Sequence, residues 1–152
     1  MTDLTQILSP SRCHSQVPGQ SKKRIFEEVA DLLVKDQPGL DATDVVARLL
    51  AREKLGSTGL GRGIAIPHCR LDGCQQPLGV LMSLATPADF DAPDDEPVDL
   101  LCVLVVPEEA NQEHLEILAA LARLFSQDAL CSALRACDTG EELFEVIASE
   151  DN

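Results

Sequence analysis

Residues 100–106 read LLCVLVV, an unbroken apolar run rich in β-branched residues. The run is far shorter than the roughly 18 residues that cross a bilayer, and it is apolar on both faces. We therefore expect a central β-strand that other elements cover on both sides of a sheet. Two further short apolar runs, Ile64 to Ile66 and Leu78 to Leu84, have the composition of strands.

Helical periodicity flanks these strands along the chain. Five helices are predicted, over residues 22–35, 43–55, 111 onward, 128–136 and 139 onward. Ser21 and Asn111 can cap helix starts, Gly56 is placed to end the second helix, and Thr139 with Glu142 forms a capping-box pattern. Strands between helices on a single core predict an α/β or α+β sandwich, and 152 residues suit one domain over residues 1–152.

Three segments follow neither period. Residues 1–20 predict an irregular lead-in whose apolar side chains can dock on the body. Residues 56–63, GSTGLGRG, are too rich in glycine for regular structure. Residues 88–99 contain six acidic residues and two prolines, which predicts a solvated loop or an edge excursion.

The charge balance argues against several classes of partner. The formal net charge is −14 and the pI is near 4.4. Binding to nucleic acid or anionic lipid needs clustered Lys and Arg, and residues 22–24 form the only such cluster. The chain has no Trp or Tyr on which bases could stack. We therefore expect no nucleic-acid partner.

The N-terminal sequence and the apolar runs predict the location. MTDLTQILSPSR lacks the basic-then-apolar order of a signal peptide, and no apolar run is long enough to cross a membrane. We expect a cytoplasmic protein without membrane insertion, a monomer or weak dimer, whose six cysteines are reduced thiols.

Two of the three histidines lie at boundaries between predicted elements, where functional sites are often built. His68 follows a short strand and Pro67, so its imidazole can project from the end of a strand as a nucleophile near neutral pH. A loop histidine without a role is an equally good interpretation from composition alone. His114 would lie in the first turn of a helix, where the dipole lowers its pKa and keeps it neutral. The alternative is a histidine satisfied against its own helix.

Arg52 ends the second helix just before the glycine-rich segment, and its guanidinium could bind an anion held there. A solvated arginine is the alternative. The segment lacks the GxxxxGKS/T of a P-loop, so a nucleotide site is poorly supported. His68, Cys69 and Cys74 do not complete a tetrahedral metal set, and Cys69 lacks the signature of a cysteine protease. We expect no metal and no cofactor.

Three stretches together resemble a known family. They are REKLGSTGLGRGIAIPHCRL at 52–71, PVDLLCVLVVP at 97–107 and NQEHLEILAALARL at 111–124. The chain resembles the enzyme IIA domains of the fructose and mannitol branch of the bacterial phosphotransferase system, and within that family the nitrogen-regulatory branch. The resemblance extends from about Leu4 to Ile147, and GIAIPH with the downstream EHL is its most specific part.

The resemblance implies a small mixed β-sheet flanked by helices on both faces. It implies that His68 is phosphorylated, that His114 contacts the phosphoryl group, and that Arg52 helps to neutralise it. Further phosphoryl-binding groups would come from Ser57, Thr58 and Gly59. Two residues depart from the family pattern: Cys69 stands where glycine is frequent, which would open the site to oxidation, and Arg62 stands where a small or polar residue is common.

The partners implied are a small histidine phosphocarrier protein as donor and regulated targets such as transporters or kinases. The donor would dock over His68 on a surface that includes Leu60 and Ile64. A sugar-specific enzyme IIA that passes its phosphate to an enzyme IIB is the alternative function. A third hypothesis is an interaction module in which His68 is never modified.

Overall fold

The computed structural model describes residues 4–18, 21–109 and 112–150. Within these ranges one mixed sheet contains six strands: β1 (Cys13–Val17), β2 (Gly59–Gly61), β3 (Ile64–Ala65), β4 (His68–Leu71), β5 (Leu78–Ala88) and β6 (Val98–Pro107). Their order is β1-β5-β6-β3-β2, and β4 also pairs with β6. The three apolar runs that begin at Ile64, Leu78 and Leu100 lie in β3, β5 and β6, so these strands form as predicted.

The strand β6 is the centre of the sheet. It pairs antiparallel with β5 along one edge, and parallel with β3 and then β4 along the other. Alternate β6 side chains enter two separate cores, with Leu101 and Val103 on one face and Cys102 and Leu104 on the other. The double-sided burial predicted from its sequence is confirmed.

Helices cover both faces of the sheet. They are α1 (Lys22–Asp36), α2 (Ala42–Leu55), α3 (Gln112–Leu124), α4 (Asp128–Arg135) and α5 (Gly140–Glu150). The first two pack on the face that contains Leu101, and the other three on the face that contains Leu104. The predicted α/β sandwich, with a small mixed sheet and helices on both faces in a single domain, is confirmed.

Three of the predicted helix caps, Ser21, Gly56 and Thr139, are observed. The Ser21 hydroxyl accepts from the backbone N–H of Arg24 at 3.1 Å, and Thr139 and Glu142 exchange the two hydrogen bonds of a capping box. The second helix begins at Ala42, one residue before the prediction, because the Asp41 carboxylate caps it. Asn111, the cap predicted for α3, lies outside the described residues.

Two segments predicted to be irregular are ordered. In the N-terminal segment, β1 pairs parallel with β5, and two 3-10 turns precede it. The buried Arg12 fixes this segment, since it donates to the carbonyls of Ile7 and Gly79 and pairs with Asp36. The glycine-rich segment contributes β2, which pairs antiparallel with β3. Both predictions of irregular structure were wrong: β1 pairs with a strand far away in the sequence, and the glycines of β2 hide its short pairing with β3.

The acidic segment 88–99 is a loop only in part. The strand β5 extends to Ala88, β6 begins at Val98, and Phe90 between them is fully buried against Phe26 of α1. In the part of the chain that is described, no single helix is long and apolar enough to span a membrane. The helices α3 and α4 reach that length and apolar character only when they are taken together, and their axes differ by 85°.

Candidate functional site

The side chain of His68 is fixed by an interruption of the sheet edge. Strands β3 and β4 run consecutively along β6, and Ile66 and Pro67 separate them. His68 is the first residue of β4, so it resumes the pairing rather than ending a strand as predicted. Its Nδ1 lies 2.9 Å from the carbonyl oxygen of Ile66. A carbonyl only accepts, so we assign the proton to Nδ1 and a free lone pair to Nε2.

Arg52 occupies the last turn of α2 and contacts this lone pair. Its Nε–H donates to Nε2 of His68 at 3.3 Å, and its Nη1 donates to the carbonyl of Gly56 at 2.9 Å. The guanidinium is therefore fixed at one end by the helix terminus and points at the imidazole with the other. The predicted proximity of Arg52 to a site beside the glycine-rich segment is observed.

His114 reaches the same place from the other side of the sheet edge. It lies in the first turn of α3, and its ring centre is 5.4 Å from that of His68, at an interplanar angle of 73°. The residue is only 8% exposed, and neither ring nitrogen has a hydrogen-bond partner among the described residues. The alternative of a histidine satisfied within its own helix therefore does not apply.

Both imidazoles are held neutral. Burial lowers the pKa of His68 below its ordinary value, and the charge of Arg52 lowers it further. Burial also lowers the pKa of His114, helped by His68 and Arg70. The expected direction for His114 is observed, but its main cause is desolvation. Two imidazoles with lowered pKa values, one whose Nε2 lone pair contacts Arg52 and one whose nitrogens have no partner among the described residues, suit nucleophilic attack on an anion.

An open cleft of about 480 Å³ surrounds the two histidines at the β4 edge. Its lining consists of Arg48, Ala51, Arg52, Leu55, His68, Cys69, Arg70 and His114. Three arginines thus meet here in a chain whose net charge is −14. Sequence analysis missed Arg48 and Arg70, although helical and strand spacing place them on the same faces as Arg52 and His68, respectively.

The predicted phosphoryl-binding residues of the glycine-rich segment make other contacts. The Ser57 hydroxyl donates to the carbonyl of Phe90 at 2.8 Å and accepts from the N–H of Gly59 at 3.0 Å. The Thr58 hydroxyl donates to the carboxylate of Glu53 at 2.5 Å. Ser57, Thr58 and Gly59 are not among the residues that line the cleft.

The structure changes the interpretation of the two residues that depart from the family pattern. Cys69 lies in the cleft wall but is buried, and burial raises the pKa of its thiol to about 12. The expected sensitivity to oxidation is wrong, because oxidation requires an accessible thiolate. Arg62 points away from the cleft: it donates to the carbonyl of Phe125 and pairs with Asp128 at the start of α4.

The expected docking surface needs one correction. Leu60 is partly exposed, but Ile64 is buried in the core with Leu100 and cannot contact a partner. The exposed apolar side chains that do lie near the histidines are Leu55, at 84% exposure, and Leu115, at 61%. Leu55 follows Arg52 within the same helical turn, and Leu115 is next to His114.

This site, an imidazole with a lowered pKa in a cleft lined by three arginines on an α/β sandwich, is typical of a protein that carries a phosphoryl group on histidine. The family model described as phosphoenolpyruvate-dependent sugar phosphotransferase system, EIIA 2, matches residues 6–150. The chain therefore belongs to the EIIA 2 family of that system.

Relatives of known name place the chain within the family. It is 49% identical to a nitrogen regulatory protein of Pseudomonas aeruginosa over 152 residues, which is 100% of this chain and 99% of that protein. The crystal structure of the nitrogen regulatory protein IIA-Ntr from Neisseria meningitidis matches with a TM-score of 0.89 and 43% identity, over 96% of this chain and 99% of that one. A fructose-specific EIIA component of Haloferax volcanii is 31% identical, over 97% of this chain and 96% of that protein. These likenesses support a nitrogen-related phosphocarrier, with the sugar-specific type as the alternative.

Proposed function

We propose that this protein accepts a phosphoryl group on Nε2 of His68 from a histidine phosphocarrier protein and that its phosphorylation state regulates metabolism or transport. The single observation that carries the proposal is the hydrogen bond from Nδ1 of His68 to the Ile66 carbonyl. It leaves the Nε2 lone pair free to attack and directs it to the side on which Arg52 lies.

The proposed transfer is an in-line displacement between two imidazoles. The lone pair of Nε2 attacks phosphorus while the P–N bond to the protonated donor imidazole breaks, and its electron pair stays on the donor ring, which leaves as a neutral imidazole. His68 keeps its proton on Nδ1, where the Ile66 carbonyl accepts its hydrogen bond. Arg52 releases Nε2 and donates instead to the phosphoryl oxygens, which gives it a stronger, charge-assisted bond. His114 lies next to His68, has no hydrogen-bond partner for its ring nitrogens among the described residues, and supplies a further donor. Direct contact of Ser57, Thr58 or Gly59 with the phosphoryl group stays a prediction.

The surroundings of the cleft favour a protein donor. The exposed Leu55 and Leu115 offer apolar contact around the reacting histidines, and the partly exposed Leu60 is a further candidate. Arg48 and Arg70 line the cleft and would attract the phosphoryl group of an incoming phosphohistidine. We place this exchange, fed by phosphoenolpyruvate, in the cytoplasm, with regulated proteins such as transporters or kinases as the downstream partners.

Mass spectrometry of the intact protein tests the proposal directly. Wild type and His68→Ala are incubated at mildly alkaline pH with phosphoenolpyruvate, enzyme I and the histidine phosphocarrier. We expect one acid-labile phosphate on wild type and none on His68→Ala. Equal phosphate on both proteins, or none on wild type with an active donor, would refute the assignment.

The alternative function is that of a sugar-specific enzyme IIA. The likeness to a fructose-specific EIIA component supports this alternative. The two functions differ in the acceptor. Phosphorylated protein is mixed with candidate enzyme IIB proteins encoded near its gene, and loss of its phosphate is followed. Rapid transfer to an enzyme IIB would support the sugar-specific function, and retention of the phosphate would support the regulatory one.

A further inference from the structure

A buried carboxylate lies directly behind the candidate site. Glu53 follows Arg52 in the last turn of α2, and its side chain is 4% exposed. One carboxylate oxygen accepts the Thr58 hydroxyl at 2.5 Å, and the other lies 3.3 Å from Nζ of Lys22. Glu53 is not among the residues that line the cleft, so it does not face a phosphoryl group there.

These contacts join three parts of the fold. Lys22 begins α1, and its Nζ also pairs with Asp91 and lies 5.4 Å from the ring centre of Phe90. The carbonyl of Phe90 in turn accepts the hydroxyl of Ser57. Residues 56–58 are therefore anchored twice, through Thr58 to Glu53 and through Ser57 to the segment that follows β5.

The anchored segment holds Arg52 in place. The carbonyl of Gly56 accepts from Nη1 of Arg52 while Nε of the same guanidinium donates to His68. Resting on the proposed function, we infer that Glu53 is a positioning residue for phosphoryl transfer: it fixes residues 56–58 through Thr58, and thereby keeps the Arg52 guanidinium aimed at Nε2 of His68.

The charge of Glu53 has a separate and opposite effect. The carboxylate raises the pKa of His68, against the larger lowering by burial. Its removal lowers that pKa and leaves more neutral imidazole near pH 6. Loss of charge alone therefore does not slow the reaction, whereas loss of positioning slows it at every pH, including pH 8 where His68 is neutral in all variants.

Two variants test the inference by different chemistry. Glu53→Leu removes both carboxylate oxygens, and with them the acceptor of the Thr58 hydroxyl, whereas Thr58→Val removes the hydroxyl alone. At pH 8, we expect each to slow single-turnover phosphorylation of His68 by roughly 10-fold to 100-fold, as expected for a misplaced catalytic group. The control is Asp99→Asn, which breaks a less buried salt bridge to Arg135 near the start of β6. Its rate should equal that of wild type.

A double-mutant cycle separates positioning from general destabilisation. If Glu53 acts through Arg52, then Glu53→Leu has no further effect on the rate in an Arg52→Ala background. If Glu53 merely supports the fold, the double variant is slower than wild type by the product of the factors that the two single substitutions cause. Wild-type rates in Glu53→Leu and Thr58→Val, or multiplying effects in the cycle, would overturn the inference.

A second measurement does not depend on phosphorylation. Solvent exchange of the Arg52 Nε proton, followed by NMR, should be slow in wild type and Asp99→Asn and fast in Glu53→Leu and Thr58→Val. Equal exchange in all four proteins overturns the positioning role. An unphosphorylated wild type refutes the proposed function instead, and the exchange data then decide the role of Glu53 by themselves.

Discussion

Replacement of Arg52 by alanine should impair phosphorylation of His68 in two ways that the pH separates. The substitution removes the Nε–H that donates to Nε2 of His68 at 3.3 Å. It also removes the guanidinium that would bind the transferred phosphoryl group. The first change acts on the state of the nucleophile, and the second acts on the transition state.

The size of the second effect follows from the chemistry of the lost bond. A hydrogen bond to a charged group contributes about 1.5–3 kcal/mol. Since about 1.4 kcal/mol corresponds to a tenfold change in rate, we expect phosphorylation of Arg52→Ala to be roughly 10-fold to 150-fold slower. Arg52→Lys should recover only part of this loss, because an ammonium group cannot bond to Gly56 and to the phosphoryl oxygens with one planar fork.

The first effect has a definite sign. Burial and then the Arg52 charge lower the pKa of His68, so the substitution raises that pKa. The neutral, nucleophilic fraction of His68 then declines at a higher pH than in wild type. The rate deficit of Arg52→Ala should therefore be smallest at pH 8 and should grow as the pH falls through the ordinary histidine range near 6.5.

Rapid-quench transfer from the phosphorylated histidine phosphocarrier, measured from pH 5.5 to 8, provides the rates. An NMR titration of His68 in wild type and Arg52→Ala provides the two pKa values. Equal rates at pH 8 would refute the role of Arg52 in phosphoryl binding and would leave it only the effect on His68 protonation. An unchanged pKa would refute the electrostatic part.

Three further outcomes follow from buried groups. His114→Leu should raise the free energy of unfolding by about 1 kcal/mol, because no described residue pairs with the buried ring nitrogens. The same substitution should slow phosphorylation of His68 about 10-fold. A lower free energy of unfolding in a urea titration would contradict this prediction. Cys69 should remain unmodified by iodoacetamide at pH 8 in the native protein and react after unfolding, as peptide mapping can establish. Gly140→Ala should lower the free energy of unfolding by about 1–3 kcal/mol, because the added Cβ would lie 2.7 Å from the carbonyl carbon of Cys13. An unchanged melting temperature would refute that close contact.

The helices were predictable because their signals are local. Ser21, Gly56 and the Thr139 capping box mark ends within a few residues of the chain, and apolar periodicity marks the buried faces. Strands β1 and β2 carry no such signal. They are short, polar or glycine-rich, and they become strands only because β5 and β3 present free edges to them.

The site was predictable to the extent that its residues lie at element boundaries or match a family pattern. His68, His114 and Arg52 were found in this way, and the structure brings all three into one cleft. Arg70 and Glu53 were missed because their importance depends on contacts across the fold. Thr58 shows the converse: its hydroxyl looks free in the sequence, but it donates to a buried carboxylate.

The meeting of His68 and His114 is a consequence of strand direction. The strand β4 runs parallel to β6, and His68 is opposite Leu104, close to the end of β6 at Pro107. The chain leaves β6 at that end and enters α3, whose first turn contains His114. The end of β6 at Pro107 is opposite Leu71 at the end of β4, so the chain reaches α3 near the end of β4, and the first turn of α3 brings His114 against His68, three residues back along that strand. The apolar sequence of β6 thus does two things at once: it fills both cores, and it sets the register that places the second histidine against the first.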